Sequence, residues 1–248
     1  MRAIVRVCAY AEQRQARRLR APRAFTLIDI LVSMAVISVL IGLMLPALTA
    51  IRETTRKVVC SSNIRQIGLS TAMYADDYKG QLPHSRFYEK SLYTSIESIA
   101  SSDLMRARIA EFNDWDGLGL LYGKQYCSAA QVFYCPSHKS VHRYERYSTG
   151  WRGGPYDVYT NFQYRGGSVD KKSNLSSMPV RISLMADGMA STFDFNHGVG
   201  GNVVASDMSV AWFEGTSSAL DLPFGYDDPA AKAKLQQAWL AIDDALFK

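Results

Sequence analysis

From Phe25 to Ile51 the chain reads FTLIDILVSMAVISVLIGLMLPALTAI, and no charged residue stands between Ile30 and Ile51. Apolar side chains fall on every face of a helix drawn through this stretch, so no side is singled out for a protein core. Roughly 20 such residues cross ~30 Å of hydrocarbon. The pattern predicts a membrane-crossing helix over 25–51; the alternative is a buried core helix. Beyond Ile51 the pattern becomes amphipathic. Cys60, Ile64, Ile67, Thr71, Tyr74 and Tyr78 recur every three or four residues, while Arg52, Arg56, Lys57, Arg65 and Asp76 fall off that stripe. The spacing predicts that the helix continues over 52–80 and packs its stripe on a globular domain. Gly80 and Pro83 stop it.

Residues 81–248 read as that domain. Ser91 to Phe112 predicts one or two helices, with Asp103 as a cap. Trp115 to Tyr122 predicts a turn entering a short helix, and Gln131 to Cys135 a strand ended by Pro136. The Gly- and Tyr-rich segment 144–168 predicts short strands joined by turns. Val180 to Ala186 predicts a strand closed by Asp187-Gly188. Asn202–Ser206 and Ser209–Phe213 predict a hairpin around Asp207-Met208. Leu235, Trp239, Ile242 and Leu246 space a final helix. The expected class is α+β: a long N-terminal helix packed on an antiparallel sheet, with extra helices.

Charge changes the reading of the N-terminus. Of 28 basic residues, seven arginines lie in residues 1–24 beside a single acid, Glu12. Without that segment the chain is nearly neutral, which removes the support for a nucleic-acid partner. A basic flank ahead of an apolar span keeps the N-terminus cytoplasmic and exports the chain beyond the span. A cleaved secretory signal has a shorter apolar core. Asp29 is the remaining oddity, because a carboxylate inside a membrane segment is costly and needs a partner.

The basic leader, Ala24, Phe25-Thr26-Leu27-Ile28, Asp29 and Pro46 together resemble the start of type IV prepilins and type II secretion pseudopilins. The resemblance implies cleavage between Ala24 and Phe25 by a prepilin peptidase and methylation of the new Phe25 amine. It also implies a pairing of Asp29 with the amine of a neighbouring subunit, and a helix bend at Pro46. Ala24 stands where the family usually has Gly, and Asp29 where it usually has Glu. Asp29 would lie ~6 Å along the axis from the new amine. Two buried charges offset part of each other's desolvation only when paired, so the pair would set register between copies.

Cys60-Ser-Ser-Asn63, Met73-Tyr74-Ala75-Asp76-Asp77 and Gly80-Gln-Leu-Pro83 look like a branch of these proteins found in planctomycetes and their relatives. That branch carries a C-terminal His-x9-Asp-Gly motif. His197 and Asp207 have the matching separation, with Met208 at the Gly position. The first expectation is that His197 and Asp207 brace the hairpin by hydrogen bonding; a metal or ligand site including Asp187 is the second. A bridge between Cys60 and Cys135, both in family-like contexts, would tie helix to sheet. Cys127 with Cys135, or three buried free thiols, are the alternatives. Cys8 lies in the leader.

The resemblance implies a pseudopilin- or pilin-like structural subunit and no enzyme. The implied localisation is the inner membrane, single-pass, with a periplasmic domain that enters a pseudopilus or pilus. Its partners would be the prepilin peptidase, other pseudopilins or pilins, the inner-membrane assembly platform and the lipid bilayer. No cofactor is expected, although some pseudopilins bind calcium. The alternatives are an anchored module binding a glycan or secreted cargo, and a tethered hydrolase using His197, Asp187 and Asp207. Asp29→Asn is expected to lower incorporation into filaments while leaving membrane insertion intact, as read by sedimentation of sheared surface material. Normal incorporation would contradict a register role for Asp29.

Overall fold

The computed structural model describes residues 25–85, 105–165, 174–178, 181–222 and 230–247. Ala24, Cys8 and Asp103 lie outside them. The chain divides into two compact units, residues 1–48 and 49–248.

In the first unit, α1 (Leu27–Asp77, 51 residues) begins. Thr26 caps it. Its backbone N–H donates to Asp29 Oδ2 at 3.0 Å, its hydroxyl donates to the same oxygen at 2.8 Å, and Asp29 N–H donates to Thr26 Oγ1 at 3.3 Å. This reciprocal arrangement satisfies two amides that a helix start leaves without intrahelical partners. All residues over 25–52 are exposed, from Phe25 at 79% through Leu43 at 71%. The helix runs on through Pro46.

In the second unit the same helix is buried where the stripe predicts. Cys60, Ile64, Ile67, Thr71 and Tyr74 are all buried. Gly68 lies so close to β6 (Gly200–Ala205) that a Cβ there would stand 3.0 Å from Val204 Cγ1. The helix ends where Lys79 and Gly80 turn left-handed (φ 57° and 83°) and the Gly80 N–H returns to the Ala75 carbonyl.

Two antiparallel sheets come next, where one was expected. The smaller has the order β2-β1-β3, from β1 (Arg106–Ile109), β2 (Asp114–Trp115) and β3 (Val158–Tyr159). The larger is a four-stranded meander of β4 (Phe162–Tyr164), β5 (Ser183–Asp187), β6 and β7 (Val210–Glu214). Its central strands are buried on both faces. Met185 and Val204 join the core containing Cys60, Ile64 and Ile67 of α1. Ala186 and Val203 join a second core with Leu235, Ala238, Trp239 and Ile242. Neighbouring strand residues point to opposite faces, so the sheet is a middle layer between α1 and the C-terminal helix. The short helices α2 (Gly119–Gly123) and α3 (Tyr144–Tyr147) precede the meander, and that C-terminal helix is α4 (Ala231–Phe247). Asp243 holds α4 to β5, accepting from Ser183 N–H at 2.7 Å and Arg165 Nη1 at 2.6 Å. The class is α+β, with a long apolar N-terminal helix.

Three local expectations fail. Ala130–Phe133 form a 3-10 turn instead of a strand. The Cys135 N–H there donates to a side chain, Asn161 Oδ1, and no strand among the described residues forms a ladder with it. Residues 106–109 are strand instead of helix, because they pair with β2 and β3 on both edges. The start of 144–168 is helical, with strands only from Val158 onward. The hairpin forms as expected, and Met208 takes φ 62° in its loop. Asp207 Oδ1 stabilises the loop by accepting the Ser209 N–H at 2.9 Å, and Met208 packs against the first core.

Gly119 tests the seating of α2 on β1. A Cβ there would overlap the Ala107 carbonyl and stand 2.8 Å from Ala107 Cα. Gly119→Ala is expected to destabilise by about 3 kcal/mol, at the top of the overpacking range. That corresponds to a fall of roughly 10 °C in melting temperature for the detergent-solubilised chain. An unchanged melting temperature would contradict the close approach.

Candidate functional site

Four segments of the second unit converge on one buried polar region. Helix α1 supplies Glu53 and Cys60, two turns apart on one face. The turn after Phe133 supplies Cys135, Ser137 and His138, with His142 next along the chain. The end of β5 supplies Asp187. The connection from β5 to β6 supplies Ser191, Asp194, Asn196 and His197. That connection folds back tightly at Gly188, where a Cβ would stand 2.7 Å from the Asp194 carbonyl oxygen and 2.9 Å from that of Asn161. Three of the chain's four histidines are here.

The first cluster is Cys60, Cys135, Asp187 and His197, whose ligating atoms lie within 4.8 Å of one another. Cys60 Sγ donates to Asp187 Oδ1 at 2.7 Å. Asp187 Oδ2 accepts from the Asn202 N–H at 2.6 Å and from Asn202 Nδ2 at 3.1 Å, and it lies 3.5 Å from His197 Nε2. His197 Nε2 faces Cys135 Sγ at 3.4 Å, and its Nδ1 faces Glu53 Oε1 at 2.8 Å. Ser137 Oγ donates to the same Glu53 oxygen at 3.0 Å.

Burial and charge set the protonation states. Burial alone would lower His197, but the Cys135 sulfur, the Asp187 charge and Glu53 outweigh it and push His197 up to about 9. Burial raises the Cys60 thiol, and Asp187 and Cys135 raise it further. Burial also opposes ionisation of Cys135, yet hydrogen bonds with Cys60 and His197 prevail and lower it. The two thiols are thus pushed in opposite directions, Cys135 towards ionisation beside His197 and Cys60 away from it beside Asp187. Sulfur, imidazole and carboxylate occur in the order of nucleophile, base and orienting group. Cys135 is nevertheless only 3% exposed and the His197 side chain 0%. The contacts of this cluster join α1, through Glu53 and Cys60, to His197 and to Asp187 at the end of β5.

The second cluster is His138, His142 and Asp194, also within 4.8 Å of one another and all buried. His142 Nδ1 is 3.2 Å and His138 Nε2 3.5 Å from the same oxygen, Asp194 Oδ1. Ser191 Oγ donates to Asp194 Oδ2 at 3.0 Å. Burial holds His138 below the ordinary imidazole value. Asn196 joins the two clusters. Its Nδ2 donates to Asp187 Oδ1 at 3.3 Å and its Oδ1 meets His138 Nδ1 at 2.6 Å.

Several expectations change here. Asp207 does not meet His197; it is exposed and pairs with Arg181 Nε at 2.9 Å. The residue that orients His197 is Glu53, from the far side of the chain. Asp187 and His197 do come together, with Asp207 left out. The bridge expected between Cys60 and Cys135 is absent: the two sulfurs are neighbours, and these two and Cys127 are free thiols. Asp29 and Pro46 lie in the first unit, on α1. Glu53, His138, His142, Asp194 and Asn196 were missed. The signals for them were the close spacing of His138 and His142 just after Cys135-Pro136 and the place of Glu53 two turns before Cys60.

These features define an α+β domain carried on a helix long and apolar enough to be a membrane span or signal anchor. A family model described as a protein of unknown function (DUF1559) matches residues 49–193, and the chain belongs to that family. The match includes Cys60, Cys135, His138, His142 and Asp187 and stops just before Asp194 and His197. No curated protein matches the chain, and no solved structure does.

The sign of the His197 effect is defined. Its folded value, about 9, lies above the unfolded value near 6.5. Its contribution is therefore complete below about pH 6.5 and is lost as pH rises through about 9. The melting-temperature advantage of the wild type over His197→Gln is expected to shrink between pH 7 and pH 10. An advantage constant over that range would mean that His197 is not charged in the fold.

Proposed function

We propose that this chain is a prepilin-like structural subunit. It inserts in the inner membrane through residues 25–51, is cut before Phe25 by a prepilin peptidase, and is methylated there. It then assembles with other pseudopilins or pilins into a type II secretion or type IV pilus-like filament. The domain of residues 52–248 faces the periplasm and decorates the filament.

One observation carries this reading. A single helix is exposed along its whole apolar N-terminal part and buried along the stripe that begins at Cys60. Water is a poor medium for so long an apolar surface, which marks a lipid or partner-helix contact. Family membership together with this apolar helix fits a prepilin-like protein. Asp29 fits as well. Its carboxylate already caps the helix through Thr26, in the position where an anion meets the positive end of the helix dipole. An ammonium created at Phe25 would add a cation beside it. The enclosed Cys135–His197 pair supports a bracing role over catalysis.

Intact mass and N-terminal sequencing of protein isolated from membranes, with and without the peptidase, test the proposal. The expected product begins at methyl-Phe25 only when the peptidase is present. A retained residue 1, or a start after residue 45, overturns it. Cut protein that never sediments with filaments but binds glycans would favour an anchored binding module.

A further inference from the structure

We propose that His138, His142 and Asp194 form a binding site for a divalent transition-metal ion of the zinc type. The argument begins at Asn196. Its Nδ2 donates to Asp187 Oδ1 and to the Asn161 carbonyl, both at 3.3 Å, which orients the amide. The oxygen therefore faces His138 Nδ1, at 2.6 Å, and that nitrogen must carry the hydrogen. In the neutral ring Nε2 then holds a lone pair. It is buried, with no hydrogen-bond partner among the described residues, and it faces Asp194 Oδ1 at 3.5 Å. Two electron-rich atoms confront each other inside a domain where an unpaired polar atom is costly. A cation between them turns that repulsion into two bonds.

The spacing suits such an ion. Zinc bonds of about 2.1 Å at tetrahedral angles place neighbouring ligand atoms about 3.4 Å apart. The two distances to Asp194 Oδ1 are 3.5 Å from His138 and 3.2 Å from His142. The surroundings supply what a metal site needs around its ligands. The ring nitrogen of His138 turned away from the ion meets Asn196, and the Asp194 oxygen turned away accepts from Ser191 Oγ at 3.0 Å. Two imidazoles with one carboxylate suit zinc, and calcium, which takes six to eight oxygens, is a poor match. Because all three residues are buried, the ion would be taken up as the domain closes, and binding would add to stability. The Cys60–Cys135 cluster is the rival metal site, and it differs in having sulfur ligands.

The test uses the full chain in detergent, stripped with a chelator and titrated with Zn2+ and Co2+. One ion per chain is expected, with a rise of several degrees in melting temperature that Ca2+ does not reproduce. Bound Co2+ should show visible d–d bands without the near-ultraviolet sulfur-to-cobalt charge-transfer band. His138→Gln and Asp194→Asn should each abolish binding, and the double change Cys60→Ser with Cys135→Ser should preserve it. The wild-type spectrum stands even if a variant fails to fold. A charge-transfer band, or no ion retained at micromolar Zn2+, overturns the proposal.

Discussion

The buried carboxylate of Asp187 is the interaction on which the second unit depends. It is 1% exposed, and a charge in that position is tolerable only if every lone pair is met. The fold meets them from three directions. Cys60 comes from α1, Asn202 from β6, and Asn196 from the β5–β6 connection. Each bond fixes a different element against the end of β5. Hydrophobic contacts between α1 and the sheet are non-directional and would tolerate a slide or rotation of the helix. The Cys60–Asp187 bond does not, because a shift of one residue carries the thiol about 100° around the helix. Leaving a buried acceptor without a donor costs about 1–3 kcal/mol, so this bond adds a directional hold on the register of α1 to the close packing of Gly68 on Val204.

The same helix answers to two solvents. Up to Arg52 its side chains are exposed all round; from Cys60 onward one stripe is buried. The change was legible in the sequence because it is a change of period, from apolar everywhere to apolar at every third or fourth position. The hairpin and α4 were legible for the same reason. What failed was short: residues 106–109, 130–133 and the start of 144–168. Residues 130–135 have the composition of a strand, yet the Cys135 N–H is taken by Asn161. Nothing local in residues 130–135 could reveal that partner, which lies 26 residues away.

The site was less legible than the fold. The resemblance to the His-x9-Asp-Gly branch suggested that His197 and Asp207 belong together, but the hairpin carries Asp207 to its exposed tip, where Arg181 holds it. Glu53 orients His197 from 144 residues away. Its position two turns before Cys60 could have revealed it, since both must face the sheet if α1 continues unbroken. His138 and His142 were hidden differently. They lie in an irregular segment, where periodicity carries no information about burial.

The two clusters are one electrostatic unit, because Asn196 has only one amide. Its NH2 end serves the acidic Asp187 and its oxygen serves His138. Rotating the amide would place its oxygen against the Asp187 carboxylate and its donors against the His138 Nδ1–H. The charge on Asp187 thus dictates which His138 nitrogen carries the proton, and so which one faces Asp194. Cys60 shares the oxygen of Asp187 that Asn196 contacts. The sulfur cluster beside α1 and the imidazole–carboxylate cluster are therefore joined through a single side chain.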